Sequence, residues 1–154
     1  IKELESKFEV TGEVLGPDDD ETRQVKYLGR TISWKHDGLE LEGDRKHVHK
    51  LLKDWDATGG GREVGTPGMK EEGHEHARHE EDEKKTKMAM NDVDAKKYRG
   101  GAARLNYIAL DRPDVAFVAK EASRKMATPM VGDDVLIIRA ARYFRRFPRR
   151  SVQV

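Results

Sequence analysis

The sequence predicts an α+β fold in which a short antiparallel β-hairpin region is followed by a mainly helical part. Two observations support this prediction. Strand-forming residues are concentrated between positions 24 and 42, where the turn sequence Lys35-His36-Asp37-Gly38 interrupts them. Farther along, apolar residues recur every three or four positions from about 44 to 55 and from about 98 to 147, which is typical of amphipathic helices.

The N-terminal part is predicted to contain the strands. Residues 1–8 have the spacing of the last turns of a helix, so we expect the chain to be a piece of something longer, and residues 8–15 form a short extended run. The hairpin strands are predicted at about 25–34 and 38–42. A helix then extends from the capping residue Asp44 to about Trp55. Its predicted buried face consists of Val48, Leu51, Leu52 and Trp55.

The C-terminal part is predicted to contain three helices. The first two form a helical hairpin, and its corner is the tetrapeptide 111–114. We expect Asp111 to cap the second helix, Pro113 to occupy its first turn, and Arg112 to have a structural role at the corner. The second helix should end before Pro129, and the third extends from about Asp133 to Phe147. The predicted buried face of the first helix consists of Tyr98, Ala102, Leu105 and Ala109. That of the second consists of Val115, Val118, Ala119, Ala122 and Met126, and that of the third of Leu136, Ala140, Tyr143, Phe144 and Phe147.

Charge divides the chain into two unlike halves. Charged residues make up 38% of the sequence and apolar residues 36%, so only a modest core is expected. From position 95 onward there are fourteen Lys and Arg against five Asp and Glu, a net charge of +9, and residues 1–94 therefore carry −8 of the total of +1. A basic C-terminal half favours a polyanionic partner. The absence of cysteine excludes disulfides, and no apolar run approaches membrane-spanning length.

The stretch 57–93 is charged, contains several glycines and has almost no large apolar residue, which predicts a flexible linker. Within it, His74, His76 and His79 have a spacing that a metal ion could use. No supporting residues for such a site are evident, so we predict no metal site.

Short motifs occur in a fixed order along most of the chain. They are Phe8-Glu9-Val10, Lys26 to Ile32, Gly38 to Leu41, His47 to Leu52, Thr66-Pro67, Tyr98-Arg99, Leu105, Tyr107, Arg112-Pro113-Asp114, Ala116-Phe117, Ser123-Arg124, Met126, Pro129, and finally Arg139, Arg142, Tyr143 and Phe144. In this order they resemble the C-terminal part, after the catalytic Y-x-D-D motif, of the reverse transcriptase region of copia-type retrotransposon polyproteins. The sequence departs from that pattern in the long connection 13–25, the small residues 100–103 and the highly charged linker.

The resemblance implies a domain organisation. Residues 1–56 would be the end of the palm, with a primer-grip-like hairpin and the first thumb helix, and 57–93 the linker. Residues 94–148 would form the helical thumb or connection, and 149–154 a basic tail. Such a fragment would hold an RNA or DNA template-primer rather than catalyse. It would bind no cofactor itself, and the Mg²⁺ of the parent RNA-directed DNA polymerase would belong to aspartates upstream.

The implied partners are the template-primer, the upstream palm and fingers and the downstream RNase H, with no membrane. The implied location is intracellular, in a cytoplasmic particle or the nucleus. The alternative is a stand-alone nucleic-acid-binding or protein-interaction module derived from such an element. An upstream Y-x-D-D motif in the full reading frame would favour the polymerase over this alternative.

The candidate nucleic-acid-binding residues form two groups. Leu28, Gly29 and Arg30 match the place where the family's hairpin presses on the primer. The local residues alone favour an ordinary half-buried strand with a glycine bulge, whereas the resemblance favours the primer contact. The second group, on the last helix, consists of Arg139, Arg142, Arg145 and Arg146. With Arg149 and Arg150 they make six arginines around the last helix, and no acidic partner for them follows Asp134. Such long cations suit phosphates, and the alternative is a solvated helix face. No catalytic residue is predicted, since Asp18 to Asp20 lack a preceding aromatic strand.

Overall fold

A computed structural model describes residues 6–9, 12–55, 61–68 and 88–153. Over these residues it confirms the α+β fold, with four strands and four α-helices. In chain order the elements are β1 (Gln24–Tyr27), β2 (Arg30–Lys35), β3 (Gly38–Glu42), α1 (Arg45–Trp55), α2 (Asp92–Ala109), a 3-10 turn (Pro113–Val115), α3 (Ala116–Arg124), α4 (Val135–Arg146) and β4 (Ser151–Gln153).

The strands form one antiparallel sheet in the order β1-β2-β3-β4. The prediction of a single strand over 25–34 is wrong, because the structure divides this stretch into β1 and β2, which Leu28 and Gly29 connect. Both residues have positive φ, 48° and 78°, as a tight two-residue hairpin turn requires, and glycine adopts such angles without strain. The predicted return strand 38–42 is β3.

The last strand comes from the predicted basic tail. Residues Ser151–Gln153 form β4, which pairs with β3 and places Val152 opposite Leu41. Val25 and Ile32 pair in the same row, so one face of the sheet carries apolar side chains across all four strands. Within the predicted tail, Ser151–Gln153 therefore form a strand that covers the edge of β3.

The buried core lies among the helices. Tyr98, Leu105 and Phe144 are completely buried, and all four helices and the 3-10 turn contribute to one apolar cluster. The Tyr98 hydroxyl donates a hydrogen bond of 2.8 Å to the carbonyl oxygen of Ala122, which links α2 to α3 inside this core. Among the described residues, no strand residue belongs to the cluster. The sheet is thus attached to the helices largely through polar contacts.

The predicted helical faces are largely confirmed. The buried residues predicted from the spacing are Val48, Leu51, Trp55, Tyr98, Ala102, Leu105, Val115, Val118, Ala119, Ala122, Ala140, Tyr143 and Phe144. Leu52, Ala109, Met126, Leu136 and Phe147 are partly buried against them. Ile137 and Ala141 are also buried, although the predicted face omitted them.

The corner between α2 and α3 depends on Arg112. Its guanidinium group is buried and donates hydrogen bonds to both carboxylate oxygens of Asp114, at 3.0 and 2.8 Å, and to the carbonyl oxygen of Phe147. The structural role predicted for Arg112 is therefore confirmed. The predicted cap is wrong, because no side chain caps the 3-10 turn and the Asp111 carboxylate instead accepts a hydrogen bond from Arg30.

Parts of the predicted linker are packed. Residues 61–68 and 88–93 are described, and Val64 and Met90 pack against the helical core. The Met90 amide donates to the carbonyl oxygen of Pro129 at 2.9 Å, and α2 already begins at Asp92. Within these two stretches the linker is corrected to packed chain, because each contributes an apolar side chain to the core.

The start of the chain lies mostly outside the described residues. Residues 1–5 of the predicted first helix are not described, and residues 6–9 form a turn rather than helix. In the part of the chain that the structure describes, no helix is both long and apolar enough to span a bilayer.

The neighbouring glycines of α2 provide a test of this packing. We expect Gly100→Ala to stabilise the protein by about 1 kcal/mol, because the added methyl group meets no atom within 4 Å and alanine favours helix. We expect Gly101→Ala to be less stable than Gly100→Ala by about 1–3 kcal/mol, because its methyl group would lie 2.9 Å from Ile137 and Trp55. Urea unfolding followed by tryptophan fluorescence measures both, and equal stabilisation would contradict the packing of α2 against α1 and α4.

Candidate nucleic-acid interface

The turn between β1 and β2 carries the first group of candidate residues. The Leu28 side chain is 72% exposed, and the Gly29 backbone lies near the carboxylate of Asp44, which precedes α1. Leu28 and Gly29 therefore do not lie within a half-buried strand with a bulge, the alternative that the sequence left open. They form a hairpin turn beside the start of α1.

Arg30 has a structural partner. Its Nε atom donates a hydrogen bond of 2.5 Å to the Oδ1 atom of Asp111, whose side chain is only 9% exposed. This ion pair joins the beginning of β2 to the corner between α2 and α3. Arg30 therefore anchors the turn, and a phosphate could reach this guanidinium only at the edge that Asp111 leaves exposed.

A groove of about 400 Å³ lies on the polar face of the sheet, beside the Leu28–Gly29 turn. Three cationic side chains line it, Lys26 from β1, Arg45 from α1 and Arg149 from the connection between α4 and β4. The other lining residues are Gln24, Gly29, Thr31, Glu42, Gly43 and Asp44. Residues far apart in the sequence thus form one polar concave surface.

Glu42 holds two of these cations in place. Its Oε1 atom accepts hydrogen bonds from the Nε atoms of Arg45 and Arg149, at 2.8 and 3.0 Å, and its Oε2 atom accepts a further one from Arg149 at 2.9 Å. The hydrogen bonds from Arg149 and Arg45 lower the pKa of the Glu42 carboxyl to about 2. Two guanidinium groups on one carboxylate leave a net positive charge, which suits a phosphate.

The arginines of α4 mainly bind residues 61–68. Arg139 donates hydrogen bonds to the carbonyl oxygen of Gly68 at 2.8 Å and to the Thr66 hydroxyl at 3.1 Å. Arg145 donates to the carbonyl oxygen of Gly61, and the Arg142 guanidinium lies against the same glycine. These side chains are thus partly occupied in fixing a loop, a role that sequence reasoning did not consider.

The remaining arginines after Asp134 differ in exposure and partner. Arg146 is exposed, and its guanidinium lies 5.3 Å from the centre of the Phe147 ring. Arg150 contacts Asp114 at 3.6 Å, and Arg149 contacts Glu42. The expectation of no acidic partner is therefore corrected for Arg149 and Arg150, because the fold brings Glu42 and Asp114 to them from distant parts of the chain.

The structure adds Lys26, Arg45 and Arg149 to the candidate site. None of the four α4 arginines lines the groove, whereas Gly29 of the turn does. For Lys26 the sequence contains a signal, namely its alternation with the apolar residues of β1. This alternation places Lys26 on the polar face of the sheet. Arg45 is only three residues from Glu42, but nothing in the local sequence indicates that Arg149 also binds this carboxylate.

Acidic and histidine residues give no metal centre in the described ranges. No group of three potential metal ligands occurs there, and His74, His76 and His79 lie outside the described residues. Asp133 accepts hydrogen bonds from the amide of Met130 and from Lys125, each at 2.8 Å, at the start of α4. These contacts give Asp133 a structural role at the beginning of the helix.

The Glu42 cluster predicts a pH dependence of stability. Because the folded-state pKa lies below the ordinary value of 4.5, the cluster stabilises the fold above about pH 4.5, and this contribution is lost as the pH falls towards about 2. As the pH falls from about 4.5 to about 2, the free energy of unfolding should therefore decrease less in Glu42→Gln than in the unmodified protein. Urea unfolding at a series of pH values measures the difference.

The matched control is Glu121→Gln, which removes a carboxylate that pairs with Arg124 on the surface of α3. This variant should follow the pH dependence of the unmodified protein. If Glu42→Gln also showed the pH dependence of the unmodified protein, the two arginines would not be stabilising the Glu42 carboxylate.

Comparison of the chain with protein-family models, with curated proteins and with solved structures finds no match. A function for this chain is therefore argued from the motif order and from the groove with its charges.

Proposed function

We propose that this chain is the C-terminal part of the reverse transcriptase region of a copia-type retrotransposon polyprotein, and that its groove holds the sugar-phosphate backbone of a template-primer. The observation that carries the proposal is the convergence of the Leu28–Gly29 turn with Lys26, Arg45 and Arg149 on one groove. The turn matches the family's primer-contacting hairpin, and the cations come from three separate elements.

The chemistry of the groove suits a phosphate backbone. Arg149 is 62% exposed, so its guanidinium remains accessible to a ligand while it holds Glu42. Lys26 is exposed on β1, and Asp44, the other acid of the groove, already binds Lys46 at 2.7 Å. Guanidinium and ammonium groups bind phosphate oxygens on any base sequence, as a grip on template-primer requires.

The turn would contribute contacts of a different kind. Gly29 has no side chain, so a nucleic-acid backbone could approach the peptide closely there. The exposed Leu28 side chain offers an apolar contact to a sugar edge. Phosphate and sugar contacts position a strand without reading its sequence.

The proposal assigns catalysis to the rest of the polymerase. RNA-directed DNA synthesis would need the paired aspartates of an upstream Y-x-D-D motif, with their Mg²⁺ ions. The upstream palm and fingers and the downstream RNase H would be the protein partners, and the location would be a cytoplasmic particle or the nucleus. Nucleic-acid binding is the role proposed for this part of the polymerase.

One observation favours the second candidate, a stand-alone module derived from such an element. The four helices and the 3-10 turn, with Val64 and Met90 packed against them, form an apolar cluster within this chain. A segment that buries its own core does not require a polymerase around it. A Y-x-D-D motif upstream in the full reading frame would decide for the polymerase, and its absence for the module.

Lys26 provides the first test of the groove. If Lys26 contacts a phosphate, Lys26→Ala should weaken binding to a primed duplex of any sequence and flatten the salt dependence of log affinity by about one unit, because one fewer counterion is released. Fluorescence anisotropy of a labelled duplex across a salt series measures both quantities.

Lys120→Ala is the matched control, since Lys120 is also exposed but lies on α3, outside the groove lining. It changes the net charge equally, so a general electrostatic effect would appear in both variants. Equal salt slopes for the two variants would refute a grip at this groove.

A second test concerns catalysis. The purified chain should incorporate no nucleotide on a primed RNA or DNA template with Mg²⁺, because the metal-binding aspartates belong to the upstream part of the proposed parent. A primer-extension assay with labelled nucleotides measures this. Magnesium-dependent extension that copurifies with the chain would contradict the assignment of catalysis to another segment.

A further inference from the structure

An aromatic pair lies next to the groove and has no place in the proposed function so far. The rings of His47 on α1 and Tyr107 on α2 are 4.1 Å apart between centres, with an angle of 40° between their planes. Tyr107 is nevertheless 43% exposed, and His47 is half-buried. A tyrosine that served packing alone would be expected to bury more of its ring.

Charged side chains of both signs surround this pair, and the carboxylates of Asp111 and Asp44 bind its cationic neighbours Arg30 and Lys46. Arg30 and Lys46 lie close enough to interact electrostatically with the Tyr107 phenol, and Arg104 is similarly close to His47. Burial, and next the charge of Lys46, lower the pKa of His47, which favours the neutral form of its ring. An exposed aromatic residue beside basic side chains is a common arrangement in proteins that bind single-stranded nucleic acid.

The pair is also connected to the groove. Tyr107 and Arg149 line one narrow cleft, and Arg149 together with residues 42–45 lines the groove as well. A nucleotide whose phosphate binds Arg149 would therefore have an aromatic ring on the adjoining wall. Base and phosphate of one nucleotide are joined by a single sugar, so adjacent sites of these two kinds suit one nucleotide.

We propose that Tyr107, supported by His47, is a stacking site for an unpaired nucleobase of a strand whose backbone occupies the groove. This inference rests on the proposed function and adds to it the preferred ligand, a single strand or an unpaired end. In a duplex, neighbouring base pairs cover the faces of each base. Only an unpaired base offers an open face to Tyr107.

The test separates base stacking from phosphate binding with two probes, a short oligothymidylate and an abasic oligonucleotide of the same length. Tyr107→Leu keeps an apolar side chain but removes the ring. Compared with the unmodified protein, this variant should bind the oligothymidylate at least about tenfold more weakly, with the same salt dependence of log affinity. Its affinity for the abasic strand should equal that of the unmodified protein. Tyr107→Phe keeps the ring and should preserve the affinity for both probes.

The outcomes distinguish this inference from the proposed function. Arg149→Ala should weaken binding of both probes and flatten the salt slope, since it removes a phosphate contact. If it does so while Tyr107→Leu has no effect on the oligothymidylate, the groove stands and the stacking site is refuted. If Tyr107→Leu weakens both probes equally, Tyr107 serves only the packing of α1 on α2, which also refutes the site. If the unmodified protein binds the primed duplex but neither single-stranded probe, the stacking site is refuted and the groove is not. If it binds neither the duplex nor the two probes, both proposals fail.

Discussion

Two ion pairs connect the sheet to the helical part of the chain and set the geometry of the proposed groove. Arg30 binds Asp111 at the corner of the helical part, and Glu42 at the end of β3 binds Arg149 after α4. The apolar core does not make this connection, because its members in the described ranges come from the helices and the 3-10 turn. The position of the groove therefore depends on charged contacts, which salt and acid weaken more readily than they weaken apolar packing.

The same cations serve both stability and the proposed ligand. Arg149 holds Glu42 and lines the groove, so a phosphate bound there would share the guanidinium with a carboxylate. In the arginines of α4 the structural role predominates, because Arg139 and Arg145 bind carbonyl oxygens of residues 61–68. A basic helix in a sequence is thus an ambiguous signal, because backbone carbonyls of the same chain compete with phosphates for its donors.

The parts predicted correctly were those that local spacing controls. The stripe Tyr98, Ala102 and Leu105 is buried because residues three or four apart share one face of a helix, whatever that face packs against. The error in the first strand had a local cause as well. The neighbours of Leu28 and Gly29 favour β-structure and so predict a strand through them, whereas the positive φ angles of both residues reverse the chain.

By itself, the sequence determined the α+β class, the helical faces, the structural role of Arg112 and the position of the return strand. These follow from periodicity and from turn and charge chemistry within a few residues. Only the tertiary structure decided that Ser151–Gln153 would join the sheet, that Asp111 would bind Arg30 instead of capping a helix, and that Arg45 and Arg149 would meet at Glu42. Each of these contacts, except the one between Arg45 and Glu42, joins residues that are far apart in the chain. Local pattern carries no information about which distant partner will neutralise a charge or cover a strand edge.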